Sequence, residues 1–198
     1  MSCLCVTQPG RESLLAEAVA CFDAQDYPDK DLVIVLDPKD GRTLGDLRNE
    51  ALDRAGGDYL AIWDDDDLSH PTRLSVQVAA LQRDNTDAAF VGALTFRCSC
   101  GFVGVTPYRG ENNPWENSMV ATRRVNRIRY PALGRGEDTV FAERLIDAGL
   151  RFTIVNDPGL YTYRYHGGNT WGDGHWASLL AGMRNPHPPG PCPLAVAR

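Results

Sequence analysis

Four consecutive carboxylates, Asp64 to Asp67, follow the short apolar run Tyr59-Leu60-Ala61-Ile62-Trp63. The run reads as a strand that delivers the acids at its carboxyl end, and Leu68-Ser69-His70-Pro71 reads as the start of a helix. In an open α/β sheet that end of the strands is where ligands bind. Two carboxylates about 4 Å apart repel by about 4 kcal/mol at an effective dielectric of 20, so four in a row call for a cation among them. Oxygen ligands on a loop suit a hard divalent ion, Mg²⁺ or Mn²⁺, which takes one or two protein carboxylates and completes its shell with phosphate oxygens. The other reading is a solvated acidic turn that caps the next helix, and both stand at this point.

The elements that must position this turn alternate. Residues 2–7 form an apolar run suited to a buried strand, closed by Gln8-Pro9-Gly10. Residues 11–25 place Leu14, Leu15, Ala18, Cys21 and Phe22 on one helical face, and residues 32–36 form a second buried strand ending in Asp37-Pro38-Lys39-Asp40-Gly41. Thr43 is a helix cap, with Asp46 as its capping-box partner, before an inner face of Leu44, Leu47, Ala51, Leu52 and Ala55. A third helix covers residues 71–83. Alternation of this kind predicts a mostly parallel central sheet with helices on both faces. From Ala88 the period becomes extended, with short strands at residues 88–91, 93–98 and 102–107, read as a smaller mixed or antiparallel half. Residues 110–117 form a polar loop, and its Trp115 either stacks on a sugar ring or pins the loop to the core. Residues 134–138, Gly-Arg-Gly-Glu-Asp, open a further helix, where acids are also favoured by the unpaired N–H groups of the first turn. Strands at residues 151–155 and 160–165 lead into His166-Gly167-Gly168-Asn169-Thr170-Trp171-Gly172-Asp173-Gly174-His175, a glycine-rich stretch read as a mobile lid.

The composition narrows the function. The chain has 198 residues, 43% hydrophobic and 23% charged, which suits one soluble domain over residues 1–184 with a Pro-rich, disordered tail at 185–198. Within it, residues 1–87 read as the nucleotide-binding half and 88–184 as the acceptor half. A net charge of −6 without a Lys/Arg block argues against nucleic acid and membrane surfaces, and no apolar run reaches the length of a membrane span. The amino terminus has no secretory-signal pattern, so a cytoplasmic location is expected, with the six cysteines reduced. A Gly-x-Gly-x-x-Gly fingerprint after the first strand and a Gly-Lys-Ser/Thr phosphate loop are both missing, which removes dinucleotide and P-loop readings.

Taken jointly, Cys-Val-Thr-Gln-Pro-Gly-Arg (5–11), Val-Ile-Val-Leu-Asp (33–37), Leu-Arg-Asn (47–49), Ala-Gly-Gly-Asp-Tyr-Leu (55–60), Trp-Asp-Asp-Asp-Asp (63–67) and Pro71-x-Arg73-Leu74 resemble family 2 glycosyltransferases of the GT-A fold. The resemblance spans roughly residues 2–170. It implies that Asp64-Asp65-Asp66 is the family's Asp-x-Asp motif, with Asp64 on the nucleotide ribose and Asp66 on a divalent metal, Mn²⁺ or Mg²⁺, that bridges the donor diphosphate. It implies further that Asp138, in Gly-Glu-Asp, is the general base of an inverting transfer, and that His166, in Arg-x-His-x-x-Asn, completes the metal site, with His175 as a second candidate. Thr7, Arg11, Asp37, Arg48, Asp65, Trp115 and Glu137 lie in or beside the matching segments and are expected to contact substrate, although Arg48 could equally pair with a structural acid. The expected partners are a nucleotide-sugar donor, uridine-linked by expectation, and a saccharide or other hydroxyl acceptor. A departure lies after the second strand, where Asp37-Pro38-Lys39-Asp40-Gly41 stands in place of the Asp-Asp-Gly-Ser of many relatives. A sugar-phosphate nucleotidyltransferase would need a glycine-rich basic loop after the first strand, where only Gly10 and Arg11 are available. A non-catalytic nucleotide-sugar-binding module would have no need of the acid at Asp138.

Overall fold

The computed structural model describes residues 1–99, 101, 103–107, 114–172, 174–176, 179 and 184–187. Strand β1 (Ser2–Thr7) is buried along nearly its whole length, as a continuous apolar run requires when both faces of a strand are covered. It pairs in parallel with β2 (Asp31–Leu36) on one side and β3 (Tyr59–Ile62) on the other. Helices α1 (Glu12–Asp23) and α3 (Arg73–Arg83) pack Ala18, Leu74, Val78 and Leu81 against Cys3, Cys5, Ala61 and Trp63 on one face of the sheet. Helices α2 (Leu44–Arg54) and α4 (Glu137–Asp147) pack Leu47, Ala51, Leu52, Phe141 and Leu145 against Leu4, Leu60 and Ile62 on the other. The capping box at Thr43 forms as expected: Asp46 N–H donates to Thr43 Oγ1 at 3.2 Å, and Thr43 N–H donates to Asp46 Oδ2 at 2.9 Å.

The sheet is more mixed than the alternation suggests. Its order is β2-β1-β3-β8-β5-β9, where β5 is Ala88–Val91, β8 is Val120–Thr122 and β9 is Phe152–Val155. Strand β8 runs antiparallel to both β3 and β5, whereas β9 is parallel to β5. Three residues are too few to show a period, yet Val120 and Ala121 are fully buried at the centre of the sheet.

A second sheet, β11-β7-β6-β10-β4, is built from Leu68–Ser69 (β4), Ala93–Cys98 (β6), Val103–Pro107 (β7), Tyr161–Tyr165 (β10) and Arg184–His187 (β11). It departs from expectation twice. Residues 68–71 do not start a helix: Leu68 and Ser69 pair antiparallel with Thr162 and Tyr161 of β10, and α3 begins at Arg73. The cause is Asp67, whose carboxylate accepts from Tyr161 and from the Arg164 N–H and so lays the chain alongside β10. The Pro-rich tail begins inside a strand, since β11 pairs antiparallel with β7 through Arg184 and His187; residues 188–198 lie outside the described residues. Among the described residues no helix is long and apolar enough to cross a membrane. Cys3, Cys5, Cys21 and Cys98 are free thiols, while Cys100 and Cys192 lie outside the described residues.

Candidate functional site

A cleft of about 300 Å³ lies at the carboxyl ends of β1, β2 and β3 and is closed on its far side by the start of α4. Its walls carry Thr7, Arg11, Asp37, Arg48, Asp64, Asp65, Asp66, Glu137 and Asp138, all singled out from the sequence, together with Asn117, Asn169 and Trp171. Parallel strands that end together deliver Thr7, Arg11, Asp37, Asp64, Asp65 and Asp66, because each turn after a strand opens at the same edge of the sheet, while Arg48 reaches the cleft from α2.

The four acids of the turn have different environments. Asp65 is buried and accepts from Thr7 Oγ1 at 2.6 Å and Arg11 Nη1 at 2.7 Å. Asp67 is buried and accepts from the Tyr161 hydroxyl at 2.6 Å and the Arg164 N–H at 2.9 Å. These two hold the turn to β1 and β10. Asp64 accepts from Arg48 Nη2 at 3.2 Å and Asn117 Nδ2 at 3.0 Å. Asp66 Oδ2 lies 3.2 Å from Arg11 Nη1 and 3.1 Å from His166 Nε2. The repulsion among the acids is thus met here by two arginines and several neutral donors. Burial raises the Asp64, Asp65 and Asp67 carboxyls, Asp67 most of all because Asp66 and Asp64 add to it. Burial acts on Asp66 in the same direction, but the His166 hydrogen bond and the Arg11 charge outweigh it and hold this carboxyl below its usual range.

Arg48, expected either to contact substrate or to pair with a structural acid, contacts acids on both sides. Its Nη2 reaches Asp64, and its Nε donates to Glu137 at 2.9 Å. The guanidinium also lies 5.8 Å from the Tyr130 ring centroid. Burial alone would lower its pKa, yet Asp64 and Glu137 together drive it well above the ordinary arginine value. Glu137 is therefore a buried anchor for Arg48, although it also borders the cleft. Asp138, the next residue, is half-buried in the first turn of α4, and its Oδ1 accepts from Thr139 N–H at 2.8 Å. The helix is entered through Gly136 at φ +69°, a left-handed conformation that costs glycine little. The preceding loop is set by Gly45 of α2: a Cβ there would stand 1.8 Å from the Pro131 carbonyl oxygen, so only glycine lets residues 131–134 approach.

The His166 segment is tied to its surroundings by hydrogen bonds. Arg11 Nη2 donates to the Gly168 carbonyl at 2.6 Å, Asn169 Nδ2 donates to the Arg164 carbonyl at 2.8 Å, and His166 N–H donates to Asn169 Oδ1 at 3.0 Å. His175, the second candidate, instead stacks on Trp171 with centroids 4.7 Å apart. Of the two readings of Trp115, packing holds and the expected substrate contact is corrected: it is buried with Phe96, Tyr161 and Trp176 in the core of the second sheet, 5.1 Å from the Tyr163 ring, and does not line the cleft. A polar context in sequence, Glu-Asn-Asn-Pro-Trp-Glu-Asn, concealed a packing partner nearly fifty residues away. Asp37 stands at the cleft mouth, accepting from Lys39 N–H at 2.8 Å and Lys39 Nζ at 2.9 Å. Two residues with roles at the site escaped the sequence reading. Asn117, which holds Asp64, lies in the Trp-Glu-Asn-Ser segment, where an amide two residues after Trp115 was the only signal. Arg73 lies in a matched segment, and its buried side chain donates to the Ile62 carbonyl and to Ser69 Oγ, bracing the acidic turn from behind. Among the described residues no group of three or more His, Cys, Asp or Glu side chains converges as a metal site; Asp66 and His166 form a pair.

The fold has counterparts in known proteins. S. aureus TarS 1-349 in complex with UDP superposes with a TM-score of 0.61 at 17% identity, over 84% of this chain and 60% of that one. The complex of the same protein with UDP-GlcNAc gives 0.65 at 15% identity, over 90% and 64%. S. aureus TarS itself gives 0.61 at 15% identity, over 91% and 42%. The chain thus spans about two fifths to two thirds of the length of these structures, and the likeness is one of fold. No curated protein sequence matches. Residues 22–134, more than half of the chain and inclusive of the acidic turn, match the family described as "Glycosyl transferase family 2". The parallel strands ending in an acidic turn, the second sheet behind it and this match agree: the chain belongs to glycosyl transferase family 2.

Proposed function

We propose that this protein transfers a sugar from a nucleoside-diphosphate sugar, with UDP as the nucleotide, to a hydroxyl of a saccharide or other acceptor, with inversion at the anomeric carbon. The observation that carries the reading is the convergence in one cleft of Asp37, Asp64 and Asp66 from two strand ends with Asp138 from the start of α4. The UDP and UDP-GlcNAc complexes of TarS support the choice of nucleotide.

Each residue then has one task. Asp37 meets the base at the edge of the sheet, and Asp64, oriented by Arg48 and Asn117, accepts from the ribose hydroxyls. Asp66 and His166 fit a divalent cation: a carboxylate oxygen and an imidazole nitrogen stand 3.1 Å apart, and an Mg²⁺ or Mn²⁺ site needs few protein ligands when a diphosphate supplies the rest. When bound, the ion offsets the negative charge that builds on the departing diphosphate. Arg11, already at Asp65 and Asp66, is placed to turn its guanidinium toward the same phosphates. Asp138 accepts the proton of the attacking acceptor hydroxyl, while its Thr139 contact keeps the carboxylate facing the cleft.

The reading is tested by incubating the protein with UDP-sugars, Mn²⁺ and a panel of acceptors. UDP release that requires both metal and acceptor, with an inverted anomeric configuration in the product by NMR, is the expected result. Absence of any UDP affinity in calorimetry contradicts it.

A further inference from the structure

Tryptophan is the costliest side chain to leave in water, and of the four in this chain three are sealed in: Trp63 is 2% exposed, Trp115 4% and Trp176 0%. Trp171 is 39% exposed, and it is exposed at the wall of the cleft. Its position is set rather than incidental. One face of the indole stacks on His175 at 4.7 Å and 23°, and its own carbonyl accepts from Trp176 Nε1 at 3.0 Å. Trp176 is in turn locked among Phe96, Tyr163 and Tyr165, and His175 N–H donates to the Gly172 carbonyl at 3.0 Å. A flat apolar surface is thus held, at little further entropy cost, beside a cleft whose other walls are mainly carboxylates, arginines and amides.

We propose that Trp171 is the stacking platform for a pyranose ring bound in the cleft, receiving the C–H face of the sugar while the polar walls bind its hydroxyls. The inference rests on the glycosyltransferase reading above and adds the residue that selects a sugar ring. Asn169, two residues earlier in the same segment, has its Nδ2 3.5 Å from Asp66 Oδ2, which ties that segment to the acid proposed to meet the diphosphate. The ring can belong to the donor or to a saccharide acceptor, since both present the same C–H face. Trp171 thus takes the task that the sequence left open for Trp115.

The exposure pattern supplies the assay, because Trp171 dominates the quencher-accessible fluorescence. Wild-type protein with Mn²⁺ is titrated with UDP, UDP-GlcNAc and methyl β-N-acetylglucosaminide, following acrylamide quenching, and the same ligands are measured by calorimetry against Trp171→Ala and Trp171→Phe. Expected are protection of the exposed indole by a sugar-bearing ligand, about two- to tenfold weaker binding of that ligand to Trp171→Ala, and partial recovery in Trp171→Phe, with UDP affinity unchanged. A loss confined to UDP-GlcNAc assigns the platform to the donor sugar, and a loss for the methyl glycoside assigns it to the acceptor. If UDP binds but neither sugar protects the indole, or if all ligands bind wild type and Trp171→Ala alike, the platform is overturned while the nucleotide reading stands. A loss that falls equally on UDP makes Trp171 a nucleotide contact and also overturns it. Failure of UDP to bind the wild type removes the functional reading and the platform with it.

Discussion

Every carboxylate of the acidic turn is held by groups from elsewhere in the chain: Asp64 by Arg48 and Asn117, Asp65 by Thr7 and Arg11, Asp66 by Arg11 and His166, Asp67 by Tyr161 and Arg164. At the start of α4 the division of labour is different, for Glu137 takes the long-range contact to Arg48, whereas Asp138 is contacted by the N–H of its own neighbour. A donor site has to present fixed charge to a diphosphate, which favours a turn locked on several sides. In the proposed reaction the proton acceptor needs a carboxylate with room to meet a hydroxyl, and Glu137 takes the anchoring contact while Asp138 is left, among the described residues, with only its neighbour's N–H. Arg48 joins the two regions, binding Asp64 and Glu137 at once.

The largest effect expected from this contrast falls on Asp138. Asp138→Asn keeps the shape and the Thr139 contact, so donor affinity should be retained while kcat drops about 10²–10⁴-fold, the usual worth of a general base. Steady-state kinetics beside donor calorimetry on one preparation separates the two; parallel losses would make Asp138 part of the donor site and dissolve the contrast.

A large structural effect is expected at Trp115. Its burial against Tyr163 implies that Trp115→Ala destabilises the fold by about 3–5 kcal/mol, read from denaturant midpoints, with nucleotide affinity unchanged at low denaturant. Loss of affinity without loss of stability would return Trp115 to the cleft.

A smaller effect is expected within the turn itself. Tyr161→Phe removes one donor to buried Asp67 and should lower stability by about 1–3 kcal/mol, the cost of an unsatisfied buried polar group. Since Asp67 faces β10 and not the cleft, catalysis per folded molecule should change little, which chemical denaturation combined with activity normalised to folded fraction can check.

The two regions also differ in how far the sequence revealed them. The strand-helix alternation, the capping box at Thr43 and the acids at a strand end follow from local periodicity and local chemistry, and all three appear in the structure. What escaped was decided by distance. Strands β4 and β8 have two and three residues, too short to carry a period, and exist because Asp67 and the flanking strands recruit them. The sorting of the four acids was equally hidden, since it depends on Thr7, Arg11, Tyr161 and Arg164, which lie between 54 and 97 residues from the acids they contact. Trp115 and Trp171 look alike as loop tryptophans. Only the second sheet, which buries one and leaves the other at the cleft, tells them apart.

The account turns on Asp66 as the acid of the turn that receives the donor's cation, and the most direct measurement is the affinity for UDP with Mn²⁺ and with EDTA, in wild type and in Asp66→Ala. The substitution removes one of four crowded carboxylates, and Asp65 and Asp67 still tie the turn to β1 and β10, so the fold should persist. Mn²⁺ should strengthen UDP binding in the wild type, and the variant should bind UDP weakly and equally with Mn²⁺ and with EDTA. A variant that keeps the Mn²⁺-dependent gain would show that the cation, if any, is held elsewhere in the cleft.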